Sequence, residues 1–156
     1  MAHVRVQAAP FDAGREIAAL TEGRRDVGAV ATFVGLVREL SEGAAVSRMT
    51  LEHYPGMTER ALADICDEAA RRWELIGARV VHRVGPLEPG DAIVLVAVAS
   101  AHRGEAFAAC EFIMDFLKTR APFWKKEETP TGPRWVEAKA SDDEAAGRWA
   151  GGEKSS

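Results

Sequence analysis

Ala92-Ile93-Val94-Leu95-Val96-Ala97-Val98-Ala99-Ser100 is the stretch that decides the fold of this chain. It carries no charged residue and is rich in β-branched side chains, which favour strands. The turn sequence Pro86–Asp91 comes directly before it. A short apolar run that follows a turn is typical of a strand covered on both faces. We therefore predict that residues 92–100 form the most buried strand of the protein.

Further strands are predicted on the N-terminal side of this stretch. Val27–Val37 (VGAVATFVGLV) is β-branched and almost wholly apolar, which again favours a strand covered on both faces. His3–Gln7 and Val46–Tyr54 alternate between apolar and polar residues, as half-exposed strands do. Val80–Gly85 completes the set.

Three helices are predicted between these strands. Asp12 is placed to cap a short one, and Thr58, after a Pro-Gly break, to cap an amphipathic one. The third, Gly104–Arg120, is apolar nearly all round and ends before Pro122. Such a helix is expected between the sheet and a further layer, such as a second subunit. The apolar surface of Trp124 also has to be buried. We therefore expect a homodimer.

The C-terminal part is predicted to contain a β-hairpin and a tail. Phe123–Thr129 and Arg134–Ala138 flank the turn sequence Pro130–Pro133. Residues 141–156 are acidic and rich in small side chains, so we expect a flexible tail. The order of elements predicts one domain over residues 1–140, of the α+β (mixed α/β) class.

Composition excludes several kinds of function. The 156 residues include 20 Lys and Arg against 24 Asp and Glu, a net charge of −4, which disfavours a general nucleic-acid or membrane-surface binder. Cys66 and Cys110 lie in apolar, helix-like stretches and are expected to be buried free thiols. With no CxxC or HExxH motif we expect neither a metal site nor a bound cofactor. Without a signal peptide or a run of about 20 apolar residues, we expect a cytoplasmic protein.

The stretch Lys118–Glu127 (KTRAPFWKKE) is strongly basic within this acidic chain, with four cationic side chains in nine residues. Such charges repel one another by roughly 1 kcal/mol per pair even in water. An anion is expected to offset that repulsion, whether it is a carboxylate of the fold or a ligand. Lys118 and Lys125 flank Pro122 and converge if the chain reverses there. A partly desolvated lysine near other cations has a lowered pKa and can act as an acid, base or nucleophile.

Other basic residues follow the two apolar strands directly. Arg38 comes after the first, and His102-Arg103 after the second, at the start of a helix whose free N–H groups attract anions. Together they would suit a phosphate. Taken singly, these residues also fit solvated surface positions, and Phe123 and Trp124 fit a core or an interface. Their coincidence favours an anion-binding site, and Glu127 is placed to pair with Lys125 on one strand face.

Five blocks in this order and spacing resemble the large, catalytic subunit of molybdopterin synthase. They are FVGLVR (Phe33–Arg38), LEHYPGM (Leu51–Met57), HRVGPLEPGD (His82–Asp91), SAHRGEAF (Ser100–Phe107) and MDFLKTRAPFWKKE (Met114–Glu127). The resemblance implies an α/β hammerhead fold with an added small β subdomain. It implies a sulfurtransferase that converts a cyclic pyranopterin monophosphate, precursor Z, to molybdopterin. Two sulfurs would come from the thiocarboxylated C-terminus of a small ubiquitin-like subunit, within a heterotetramer built on a dimer of large subunits.

The resemblance also implies roles for residues of the matching blocks. Lys118 and Lys125 would be the reactive pair, close to where the C-terminus of the small subunit enters. The remaining positions would bind the substrate phosphate and pterin or complete the pocket wall: Val37, Arg38, His102, Arg103, Lys126 and Glu127. Two alternatives stay open. The chain could be a non-catalytic scaffold that docks a ubiquitin-like sulfur carrier, or an enzyme that acts on another phosphorylated heterocycle without a protein partner.

Overall fold

The computed structural model describes residues 2–41, 44–136 and 140–149. Runs of strands are interrupted by single helices along the chain, a mixed order that fits an α+β fold. The elements are β1 (Ala2–Gln7), α1 (Ala13–Thr21), β2 (Ala29–Leu36), β3 (Leu40–Ser41), β4 (Ala44–Ala45), β5 (Arg48–His53), α2 (Met57–Arg72), β6 (Gly77–Arg83), β7 (Gly85–Leu87), β8 (Ala92–Ser100), α3 (Arg103–Arg120), β9 (Phe123–Thr129), β10 (Gly132–Val136) and α4 (Ala140–Gly147).

The main sheet has the strand order β1-β6-β8-β2. β1 runs parallel to β6, while β8 is antiparallel to both of its neighbours. Residues 94–100 of β8 are all buried. Val94, Val96 and Val98 pack in the cluster formed with α2 and α3, and the alternate side chains from Leu95 pack toward α1. The prediction of a strand covered on both faces is confirmed for β8.

β2 differs from its prediction because it lies at the edge of the main sheet. Ala31 is buried, but Phe33, Val34 and Leu36 are 41%, 38% and 55% exposed. The prediction that β2 is covered on both faces is therefore wrong within a single chain. An apolar composition does not distinguish a strand buried in its own fold from one whose apolar surface faces outward.

α3 packs on β2 and β8 of the main sheet, and it also contacts α4 and α2, which itself packs on β1. Its apolar side chains are mostly buried by the same chain, whereas Phe107 is 65% exposed. α2 and α4 of the same chain thus cover most of the surface of α3 that does not face the sheet. No helix in the described ranges has the length and apolarity needed to cross a bilayer.

Residues 140–149 form a packed segment, whereas we expected a flexible tail over residues 141–156. α4 packs on α3, and the Trp149 indole N–H donates a 2.7 Å hydrogen bond to Asp115. The Trp149 ring also lies edge-on to Trp73, with centroids 5.5 Å apart. One large aromatic side chain therefore anchors an otherwise polar segment that composition alone assigns to solvent. Residues 150–156 lie outside the described part.

A second, antiparallel sheet has the order β10-β9-β5-β7 and corresponds to the expected small β subdomain. The predicted hairpin is confirmed as β9 and β10, although residues 137 and 138 lie outside the described ranges. β7 contains Pro86-Leu87, which we had assigned to a turn. The buried side chains of Val37, Met49, Leu51 and Leu87 form a cluster of their own, with Ile93 of β8 packed against it. The α+β class is confirmed.

Thr58 does not cap α2 as predicted. The cap lies two residues earlier, at Gly56 with a φ of 86°, and the helix begins at Met57. Only glycine adopts such a value without strain, and the Gly56 N–H donates to the Glu59 carboxylate at 2.9 Å. Thr58 is instead fully buried in the first turn.

Candidate active site

The predicted chain reversal between Lys118 and Lys125 is present. α3 ends at Arg120, and β9 starts at Phe123, whose N–H donates to the Ala121 carbonyl at 2.8 Å. Lys118 lies exposed in the last turn of α3, and Lys125 is half-buried in β9. Lys118 therefore lies about one helical turn before the reversal, and Lys125 lies a short strand segment after it.

The register of β9 places Lys125 on the face turned toward the apolar cluster of the second sheet. Phe123, Lys125 and Glu127 alternate along one face of the strand. Lys125 pairs with Leu51 of β5, whose side chain is buried beside Val37. Lys126 pairs with Trp135 and faces the opposite side. Lys125 and Lys126 therefore face two different surfaces. The resemblance had implied that Lys126 completes the wall of the same pocket.

Glu127 is a buried carboxylate with a guanidinium partner. Its Oε1 accepts from Arg134 Nη2 at 3.1 Å and from Nε at 3.2 Å. Arg134 stands directly opposite it on β10. The structure pairs Glu127 with Arg134, a partner that the sequence analysis did not propose. The ion pair fixes the carboxylate on the same strand face as Lys125.

His82, near the end of β6, is a residue to which the sequence analysis gave no role. Its ring stacks on Phe123 with centroids 3.8 Å apart and planes 19° apart. Nδ1 lies 2.8 Å from the Arg83 carbonyl, so the hydrogen bond requires the proton on Nδ1. Burial, with a smaller contribution from the nearby charge of Lys118, lowers the pKa of His82 to about 4. The HRVGPLEPGD block contains His82, but a lone histidine in a strand carries no chemical signal of its own.

His82 predicts a pH dependence of stability. Its pKa is 6.5 when unperturbed and about 4 in the fold. Between these values the unfolded chain binds the proton and the folded chain does not, so acid favours unfolding. We expect the free energy of unfolding to fall by roughly 3 kcal/mol from pH 6.5 to pH 4 through this group. Denaturant titrations of wild type and His82→Phe should diverge over this range, and parallel curves would contradict the assignment.

Val37 and Arg38 lie where β2 ends beside the start of β8. The Val37 N–H donates to the Asp91 carbonyl at 2.9 Å, and its carbonyl accepts from Gly90 N–H at 2.8 Å. Both backbone polar groups of Val37 are therefore hydrogen-bonded within the fold, and its side chain is buried. Val37 could contact a substrate only through van der Waals packing. Arg38 is exposed. Leu36 pairs with Ala92, and His82 with Val94, so Arg38 and the Phe123 region share one end of the main sheet.

His102 and Arg103 lie at the other end of that sheet. They follow Ser100, whose carbonyl accepts from Gly28 N–H at 3.0 Å beside the start of β2. α3 then runs back, so Arg103 and Lys118 are separated by about 22 Å at 1.5 Å per residue. One chain therefore does not bring Arg38 together with His102 and Arg103, contrary to our expectation. The carboxyl ends of parallel strands share an edge, but β2 and β8 are antiparallel.

The two cysteines are buried free thiols, as predicted. Burial raises the pKa of Cys66 to about 12 and that of Cys110 to about 11, so both stay protonated and unreactive near neutral pH. Within residues 2–41, 44–136 and 140–149, no three His, Cys, Asp or Glu side chains come together as a metal site would require.

Comparison with known proteins identifies the family. The model of the MoaE protein family matches residues 6–120. A molybdopterin synthase catalytic subunit from Ralstonia nicotianae is 64% identical over 149 residues, which span 96% of this chain and 85% of that protein. The molybdopterin biosynthesis MoaE protein from Burkholderia ambifaria superimposes with a TM-score of 0.83 at 55% identity, over 96% of this chain and 99% of that one. Molybdopterin synthase from Staphylococcus aureus does so with a TM-score of 0.78 at 35% identity, over 84% of this chain and 94% of that one. The resemblance drawn from the five sequence blocks is thereby confirmed, and the chain belongs to the MoaE protein family.

Proposed function

We propose that this chain is the catalytic subunit of a molybdopterin synthase, a sulfurtransferase that converts precursor Z to molybdopterin. The sulfurs come from the thiocarboxylated C-terminus of a small ubiquitin-like subunit. The observation that carries the proposal is the placement of Lys118 and Lys125 on either side of one reversal, with Lys125 on an inward strand face. Family membership, through relatives named for this activity, supports the same reaction.

The chemistry asks for cationic groups that also exchange protons. Negative charge has to be stabilised while a thiocarboxylate sulfur attacks a carbon of the pterin. It also has to be stabilised while water hydrolyses the resulting thioester, which leaves the sulfur on the pterin and releases the small subunit as a carboxylate. Protons move as the cyclic phosphate linkage opens and water departs. Lys118 and Lys125 can supply both functions. Arg38, at the same end of the sheet, is placed to hold the phosphate by bidentate hydrogen bonds.

A homodimer accounts for the distance between Lys118 and His102-Arg103. β2 has an unpaired edge and exposes Phe33, Val34 and Leu36, so a second β2 can pair with it. Antiparallel pairing about a two-fold axis sets the end of one β2 beside the start of the other. The second copy's His102 and Arg103 then approach Arg38 and Lys118 of the first. We propose two composite sites, each completed by the other copy.

The small subunit would bind at each composite site, which gives the heterotetramer that the resemblance implies. Its C-terminal tail has to reach Lys118 and Lys125 in order to deliver sulfur. A reducing cytoplasm fits two cysteines that are both unpaired.

The dimer predicts a loss of association when charge enters the β2 edge. Leu36→Glu places a charge on the β2 edge of each copy and removes exposed apolar surface, so the variant should be monomeric at micromolar concentration. Sedimentation velocity should show a wild-type dimer. Met57→Glu is the matched control, because Met57 is equally apolar and 65% exposed on α2, away from β2. A wild-type monomer, or a Leu36→Glu dimer, would contradict the proposed interface.

Two measurements in sequence test the proposed function. Size exclusion with and without the small subunit shows whether a complex forms, and the same mixture is then assayed for dithiolene from precursor Z. Complex formation with dithiolene supports the enzyme. A complex without dithiolene would point to a scaffold, and turnover of a phosphorylated heterocycle without the small subunit would point to a different enzyme.

A further inference from the structure

Thr58 is a fully buried polar residue to which the proposed chemistry gives no role. Its Oγ1 accepts a hydrogen bond from the Tyr54 N–H at 3.0 Å and donates one to the Pro122 carbonyl at 3.1 Å. The hydroxyl thus joins the start of α2 to a residue 64 positions away in sequence. Buried hydroxyls of this kind are nearly always satisfied, and here the acceptor is the residue at the reversal between the two lysines.

The same reversal is held at two further points. The Phe123 N–H donates to the Ala121 carbonyl across Pro122, which closes a three-residue turn. The Phe123 ring then lies flat against His82 of β6. Because His82 is uncharged near neutral pH, this contact is a neutral ring stack. Pro122 and Phe123 are therefore fixed to both α2 and the main sheet.

A small displacement of Pro122 would shift both Lys118 and Lys125. Lys118 precedes the reversal by one helical turn, and Lys125 follows it within the first residues of β9. Regular helix and strand segments transmit a shift at their ends rather than absorbing it. A misplacement of about 1 Å between reacting groups can cost about a hundredfold in rate. The relative placement of the two ammonium groups therefore depends on how well Pro122 is held.

We propose that Thr58 is a positioning residue: its hydroxyl fixes the reversal at Pro122 and thereby the relative placement of Lys118 and Lys125. The inference rests on the proposed function of these lysines. Thr58 itself does not react, since its hydroxyl is engaged as both donor and acceptor within the fold.

Thr58→Val tests this role because it keeps the shape of the side chain and removes the hydroxyl. We expect kcat to fall by about tenfold or more, with the KM for precursor Z nearly unchanged. Thr58→Ser, which restores the donor, should recover most of kcat. Ile65→Val is the control for lost stability, because Ile65 is buried on the same helix and makes no contact that we assign to the reversal. It should lower Tm and leave kcat unchanged.

A second measurement does not depend on turnover. The acylation rate of each lysine amine is followed by mass spectrometry across pH, with Lys139 and Lys154 as internal references. Thr58→Val should change the rates of Lys118 and Lys125 and leave the references unchanged, even if wild type forms no dithiolene and the proposed function fails. Unchanged rates at both lysines, equal kcat losses in the Val and Ser variants, or losses that only follow Tm would overturn the inference.

If Thr58→Val does not fold, two His82 variants carry the same test. His82→Phe keeps a ring against Phe123 and should retain much more of kcat than His82→Ala. Equal kcat values for the two, with equal lysine acylation rates, would show that the reversal needs no bracing and would overturn the inference.

Discussion

Lys125→Ala and Lys118→Ala are each expected to fold normally and to lose dithiolene formation by two or more orders of magnitude. Removing a preorganised charge or a proton-transfer group typically costs about 10²–10⁴ in rate. Neither lysine has a place in the buried core, so circular dichroism and Tm should stay near wild type. The measurement is single-turnover conversion of precursor Z with thiocarboxylated small subunit.

Lys126→Ala is the matched comparison for these variants. It removes the same charge from the next residue, on the opposite face of β9. We expect a loss of less than about tenfold, since Lys126 faces the side of β9 opposite to Lys125. Near-normal turnover in both Lys118→Ala and Lys125→Ala would remove the lysines from the chemistry. Equal losses at all three positions would mean that overall positive charge matters, rather than the placement of two ammonium groups.

Mixing two inactive variants is expected to restore activity if the sites are shared between copies. A homodimer of Lys118→Ala has two inactive sites, and so does a homodimer of Arg103→Ala. In a mixed dimer, one site combines the intact Lys118 of one copy with the intact Arg103 of the other. Each mixed dimer has one good site of two, so the purified mixed dimer should show about half of wild-type activity.

The exchange is performed by co-expression with two different affinity tags, and the doubly tagged dimer is purified before the assay. A mixture of Lys118→Ala and Lys125→Ala is the internal control. These residues lie on the same chain and flank one reversal, so no mixed dimer has an intact site and no activity should return. Recovery in the control, or none in the Lys118 and Arg103 mixture, would contradict composite sites.

Local patterns in the sequence were enough to predict most elements of the fold. β8 and α3 follow from long, unambiguous apolar patterns, and the reversal follows from Pro122. α4 was missed because its anchor, Trp149, lies beyond a polar segment and binds through tertiary contacts. The exposure of β2 was missed because strand order depends on the whole sheet, while composition is a property of one strand.

The sequence singles out candidate site residues but does not reveal how the fold arranges them. Arg38 and His102 each follow an apolar strand, and nothing local reveals that these strands run in opposite directions. Thr58 was assigned to a helix cap because caps are the common use of threonine near a helix start. Its actual partner, the Pro122 carbonyl, is fixed only by tertiary packing.

The most direct test is a stoichiometric reaction of purified wild-type chain, thiocarboxylated small subunit and precursor Z. Two thiocarboxylates should be consumed for each molybdopterin formed, with the small subunit released as its carboxylate. Mass spectrometry of the small subunit and quantitation of the dithiolene give both numbers. A stable complex in which the thiocarboxylate stays intact and no dithiolene appears would contradict the proposed function.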